Sequence, residues 1–424
     1  MIRNVGVANE RAPRKHLPSN AIGNTRRISE DNRALFMSPT EITARDYATG
    51  KLTRIGWSDG VIDQIEECDA SSTDTAPGPW IAPPLVDVQI NGFAGVDFQR
   101  DGVDVDGLLK ATRGLRATGC TKFLLTLITD EWSRMLDRFK NYRDLRDQNP
   151  ELKDAIFGWH VEGPFLNDKP GFKGAHEASV MRDPTPEDMI ELREALPDDA
   201  ILLTLAPERD GAMAAIEKAV SLGIRVSVGH ADPSTETLRR AVTAGATAFT
   251  HLGNGCPQEL DRHDNIFWRV FDTPGLISGL ICDKIHLSPA AFRTIHRALP
   301  PEAIYYTTDA VAPAGAPPGC YSVGRFEVEV GEDQVVRQPG QTNFAGSALT
   351  PIEGIRRSAE MLDRPWQKVW DFFSAQPARL MGRDFSLKVG SPADFCVINA
   401  DPANLIESIG VYQGGTDSQS QDTH

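Results

Sequence analysis

With 424 residues, the chain can form one large barrel with a smaller appendage, or about two to three ordinary domains. Its net charge of −15 argues against nucleic acid or an anionic membrane as a partner, since both reward clustered Lys and Arg. Six cysteines without CxxC spacing read as buried thiols rather than a disulfide framework.

Residues 1–32 are polar and aperiodic and read as a flexible tail. The first residues lack the apolar run of a secretory signal, and the longest apolar stretch, Phe123 to Ile128, is far too short to span a bilayer. A cytoplasmic protein is expected. Over 33–82 the pattern is one of short strands: Asp59-Gly60 separates Leu52-Thr53-Arg54-Ile55 from Val61-Ile62-Asp63-Gln64-Ile65, a hairpin signal.

From Leu85 strand-like and helix-like segments alternate. Eight strands are expected, at 85–90, 121–129, 156–162, 200–206, 224–230, 247–252, 276–282 and 303–309. Leu108, Leu109, Ala111, Thr112 and Leu115 sit at helical spacing between two of them. No GxGxxG or GxxxxGK(S/T) is present, which lowers the case for a nucleotide enzyme. An excursion over 313–345 carries the alternating Phe326-Glu327-Val328-Glu329-Val330, a hairpin-like insert, and helices are expected at 351–362 and 365–382. Gly390 to Ile398 reads as a strand returning to the N-terminal strands, and 413–424 as a flexible Ser/Gln/Asp-rich tail. The expected fold is α/β: a (β/α)8 TIM-like barrel over 83–383, with a small β-sandwich domain built from both chain ends, 33–82 and 384–412.

Four residues of metal or acid–base type end four of these strands: Glu162, His230, His251 and Asp309. In such barrels the carboxyl ends of different strands converge on one face, where active sites are built. One carboxylate and two imidazoles satisfy a divalent ion and leave a position for water, and a further carboxylate can move the proton. Any one of these histidines alone reads more readily as a hydrogen-bonded histidine than as a ligand, and Asp309 alone reads also as a helix cap or Asx turn. Their joint placement points to a metal-dependent hydrolase.

The first strand ends in Asp87-Val88-Gln89-Ile90-Asn91-Gly92, where many amidohydrolase-superfamily barrels place a His-x-His pair. Further along come His160-Val161-Glu162-Gly163-Pro164-Phe165, Lys173-Gly174-Ala175-His176, Leu205-Ala206-Pro207-Glu208, Gly229-His230-Ala231, Thr250-His251-Leu252-Gly253-Asn254, Thr308-Asp309-Ala310, Ala345-Gly346-Ser347 and Pro392-Ala393-Asp394. In this order the set resembles the N-acetylglucosamine-6-phosphate deacetylases, a mononuclear branch of that superfamily.

The resemblance implies that Glu162, His230 and His251 hold one divalent metal ion per subunit, zinc first, with iron, manganese or cobalt able to take the same ligands. It implies Asp309 as acid and base, and His176 as the donor that polarises the acetamide carbonyl. Ala175, Asn254, Gly255, Phe344, Ala345 and Gly346 would contact the sugar, and Arg262 and His286 the phosphate. In related enzymes that arginine can come from a neighbouring subunit, and a homodimer is implied. Gln89, Asn91 and His160 are candidates to support the ligands from behind. The partner would be a small amino-sugar phosphate, and the reaction its hydrolysis to acetate and the free amine.

Lys284, Gly255 and the run 262–268 depart from the family pattern at the sugar-phosphate end. Another N-acyl amino sugar or an N-acyl amino acid therefore stays open as substrate, as does a barrel retained only for binding.

Overall fold

A computed structural model describes residues 40–68, 78–340 and 344–417. The expected N-terminal tail lies outside the described residues. Eight parallel strands form one sheet: Leu85–Ile90, Cys120–Ile128, Ile156–Glu162, Ala200–Leu205, Arg225–Val228, Ala248–Phe249, Ile277–Ile281 and Ile304–Thr307. Each pairs with the next, and the first meets the last through a parallel bridge between Ile90 and Ala310. The Asn91 amide donates to the Ala310 carbonyl at 2.7 Å, so the sheet closes into a barrel.

A buried carboxylate reinforces that seam. Asp87 accepts from Thr307 Oγ1 (2.5 Å), Thr308 Oγ1 (2.6 Å), the Thr308 amide (3.0 Å) and the Gln89 amide (3.0 Å). Helices alternate with the strands, and several begin on a residue suited to capping free amides: Asp104 accepts from Gly107 N, Ser234 from Thr237 N and Ser288 from Ala291 N.

The barrel interior is graded along its axis. Leu124, Leu202, Ala248 and Tyr305 come from the second, fourth, sixth and eighth strands and pack with Val88, Leu380 and Met381. Side chains from alternate strands fill such layers. Above them lies a hydroxyl-rich level, in which Thr204 Oγ1 meets His160 Nε2 and Thr250 Oγ1, both at 2.8 Å, and Ser227 meets Thr250 at 2.6 Å. The charged residues stand above that.

Seven strands form a second sheet, in which Trp80–Ala82 joins the two ends of the chain. It pairs in parallel with Glu41–Asp46 and antiparallel with Phe395–Ala400. The hairpin expected around Asp59-Gly60 is present, with both residues at positive φ (50° and 76°), as a tight two-residue turn requires.

Strand Ile406–Gln413 and the short strand Thr416–Asp417 extend this sheet past residue 413, where the polar composition reads as tail. Gly414-Gly415 makes the turn, at φ 57° and 75°. Residues 418–424 lie outside the described ones.

Three further strands, Gly319–Val323, Phe326–Val330 and Val336–Arg337, form the expected insert. It is pinned to the barrel by Gly324 N donating to Asp97 (2.7 Å) and by the Arg325–Asp130 ion pair (2.5 Å).

Candidate metal centre and active site

Glu162 is the last residue of the third barrel strand. His230, His251 and Asp309 each stand two residues beyond a strand end, after Val228, Phe249 and Thr307. All three adopt left-handed backbone, with φ of 50°, 32° and 53°. That conformation costs a residue bearing a Cβ about 1–2 kcal/mol. Here it ends the ladder and brings each side chain into the same cavity, of 810 Å³, at the barrel mouth.

Among the described residues, Glu162, His230 and His251 form a group of metal-type side chains whose ligand atoms all lie within 4.8 Å of one another. Glu162 Oε1 is 3.1 Å from His251 Nε2 and 3.5 Å from His230 Nε2. His230 Nδ1 meets the Phe172 carbonyl at 2.7 Å. A carbonyl only accepts, so Nδ1 carries the ring proton and Nε2 turns a lone pair toward the carboxylate. Two lone pairs face to face repel unless a cation sits between them, so these residues fit a divalent ion.

Gly174 and Gly255 make room for this ring: a Cβ would lie 2.9 Å and 2.7 Å from His230 atoms, and both glycines have positive φ. Gly174→Ala is expected to weaken metal binding about 10-fold, read by competition with a chelator, because supports of this kind tune affinity on that scale. The glycine at 255 is explained by the same close approach.

Burial opposes ionisation of Glu162, but the imidazoles gathered around it, His230 and His251 foremost, outweigh it and hold the carboxyl well below its ordinary value. Asp309 goes the other way. Burial, then repulsion by Glu162, lifts it to about 7, where a carboxyl can both take and return a proton near neutrality. Asn91 Nδ2 donates to Asp309 Oδ1 at 2.7 Å, and Gln89 Nε2 bridges that oxygen and Glu162 Oε1, each at 3.0 Å. The two amides thus hold the carboxylates where other barrels carry histidines.

His176 is buried, its ring centroid 4.5 Å from that of His230 and its Nε2 3.9 Å from Glu162. Burial, then the neighbouring His230, pushes its pKa down to about 3, so it stands neutral. His160 sits one level lower in the hydroxyl layer, on Thr204, and does not line the cavity.

At the other end of the cavity His286 Nδ1 meets Asp283 Oδ2 at 2.6 Å, and its ring lies 5.0 Å from that of Phe344. Ala175, Asn254, Gly255, Ala345 and Gly346 also line it. Arg262 does not. It is exposed, and its carbonyl accepts from Trp268 Nε1 at 3.2 Å.

Lys284 is also turned away: its ammonium pairs with Glu360 at 2.5 Å, and its φ of 66° accounts for a position that suits glycine. Lys284→Ala is therefore expected to leave KM within about twofold, since the pair it breaks is a surface one.

Sequence reasoning missed Lys173, Cys256 and the insert residues Val323, Phe326 and Val328, which also line the cavity. Lys173 lay in a quoted motif without a role, and nothing in the alternating insert says which barrel face it covers.

No family model matches the chain. Among curated relatives, the N-acetylglucosamine-6-phosphate deacetylase of Danio rerio is 31% identical over 333 residues, covering 75% of this chain and 80% of that protein. The Rattus norvegicus enzyme of the same name is 32% identical over 338 residues, covering 76% and 80%. A solved structure of a Mycobacterium smegmatis N-acetyl-D-glucosamine-6-phosphate deacetylase mutant, in complex with N-acetyl-D-glucosamine-6-phosphate, superposes with a TM-score of 0.78 at 26% identity, over 89% of this chain and 98% of that one. With relatives this similar over most of their length, the chain belongs to the N-acetylglucosamine-6-phosphate deacetylase family.

Proposed function

We propose that the chain hydrolyses the acetamide of N-acetylglucosamine 6-phosphate, giving acetate and glucosamine 6-phosphate. The observation that carries this reading is the meeting, in one cavity, of the three-donor cluster with Asp309 and His176, in a member of this family.

Glu162, His230 and His251 would hold one divalent ion, zinc first, with iron, manganese and cobalt able to use the same donors. When bound, such an ion supplies Lewis acidity, polarising a carbonyl and acidifying water. Asp309 takes the proton of the attacking water and returns it to the departing amine nitrogen. His176 donates from Nε2 to the carbonyl oxygen as negative charge develops there. Gln89 and Asn91 keep the Asp309 carboxylate aimed through the hydrogen bonds at 3.0 Å and 2.7 Å.

His286, oriented by Asp283, offers its second nitrogen to the phosphate, and Asn254 lines the same cavity. Arg262 lies outside the cavity of its own chain, which supports a homodimer in which it serves the neighbouring site. All six cysteines are free, which supports a reducing, cytoplasmic setting.

Acetate release from N-acetylglucosamine 6-phosphate, measured beside the unphosphorylated sugar on zinc-loaded protein, tests the reading. Turnover that depends on the phosphate is expected. No acetate from either sugar, with one equivalent of zinc bound, would sink it.

A further inference from the structure

His176 can donate to a substrate carbonyl only if its neutral ring carries the proton on Nε2, and nothing in its own sequence position ensures that. Two groups of one residue meet its other nitrogen. The backbone amide of Thr129, just past the end of the second barrel strand, donates to His176 Nδ1 at 3.4 Å, and the Thr129 hydroxyl lies 2.8 Å from the same nitrogen.

The hydroxyl alone would leave the tautomer open. It lies 3.3 Å from the Glu162 carbonyl, so it could accept from an Nδ1 proton and pass its own hydrogen on. The amide has no such freedom. It only donates, and a hydrogen on Nδ1 would stand against it. On the far side of the ring, Nε2 faces Glu162 Oε2 at 3.9 Å, which also favours a proton on that nitrogen.

The threonine side chain is closely seated. It is buried, and a Cβ on Gly163, whose φ is 93°, would collide with its hydroxyl. It therefore has little room to leave the ring.

We infer that Thr129 is a positioning residue, holding the His176 imidazole in the Nε2-protonated form with that proton aimed into the cavity. A carboxylate is the usual partner for orienting a catalytic histidine, and it would favour the charged ring. A backbone amide with a hydroxyl instead fixes which nitrogen of the ring carries the proton. The catalytic consequence rests on the deacetylase reading above; the tautomer does not.

The test uses zinc-loaded protein carrying ring-15N histidine, with the His176 signals identified by their loss in His176→Asn. The expected spectrum places Nδ1 in the unprotonated range and Nε2 in the protonated range. The reverse assignment overturns the inference.

Thr129→Val keeps the amide and removes the hydroxyl. It should lower kcat about 5- to 10-fold at unchanged KM and zinc content, the scale of one lost hydrogen bond, and Thr129→Ser should restore it. An unaltered kcat in Thr129→Val, or no recovery in Thr129→Ser, counts against Thr129. If the wild type releases no acetate from the phosphorylated sugar, the deacetylase reading fails, and the ring shifts alone decide the tautomer.

Discussion

Asp309→Asn is expected to lower kcat by about 10²- to 10⁴-fold, the range that a positioned acid–base group supplies, while the protein stays folded and binds metal. Asparagine keeps the shape and one oxygen for the Asn91 and Gln89 amides, but it cannot take a proton from water or return one to an amine. The loss should fall on kcat rather than KM, since Asp309 acts on the reacting atoms. Removing a buried charge that repels Glu162 relieves the fold, so the melting temperature should not drop. Steady-state rates on the phosphorylated sugar, zinc content and a thermal melt check these points together. A variant within 10-fold of wild type would remove Asp309 from the mechanism.

The second large effect is on stability. Asp87→Ala leaves the Thr307 and Thr308 hydroxyls and two backbone amides without their acceptor, at the seam that closes the barrel. At about 1–3 kcal/mol for each stranded buried donor, the loss should reach about 3 kcal/mol or more, read by urea denaturation. That is a large share of a typical folding free energy. Activity should fall with it, because Thr308 immediately precedes Asp309.

Asp87→Asn keeps one acceptor and separates the charge from the hydrogen bonds. Burial outweighs those bonds and lifts the Asp87 pKa from 3.8 to about 6. The folded state thus holds this proton more tightly than the unfolded chain does, and the ionised group costs stability. That cost is absent below the unfolded pKa and grows as pH rises toward 6. Relative to wild type, Asp87→Asn should therefore melt higher at pH 7 than at pH 4. A difference of the opposite sign would mean that the hydrogen bonds dominate.

The barrel and its metal-type residues were legible because two signals coincide: short apolar runs at regular spacing, and one chemical residue at the end of four of them. Even so, the sequence placed His230 and His251 inside strands, whereas the ladders stop at Val228 and Phe249. Apolar patterning reports burial, and it continues through a residue whose backbone has left the sheet.

Side-chain direction was less readable. Lys284 stands two positions from His286 in sequence, yet its ammonium turns away to pair with Glu360. Arg262 reads as a phosphate ligand by resemblance, but its own chain leaves it exposed. The Gly414-Gly415 turn was masked by the polar residues around it, although two adjacent glycines at positive φ are a strong hairpin device. Thr129 and His176 lie 47 positions apart, and no local pattern links a strand-end threonine to a loop histidine.

The left-handed backbone shared by His230, His251 and Asp309 sets a conflict between durability and activity. At each of these positions glycine would relax the chain, and the fold would gain from losing the very side chains that make it useful. A laboratory search that rewards heat resistance alone would be drawn to these sites first, and would return a sturdier barrel with nothing left to do. Any programme to harden this protein has to score turnover at every round, or hold these three positions fixed and seek its gains elsewhere.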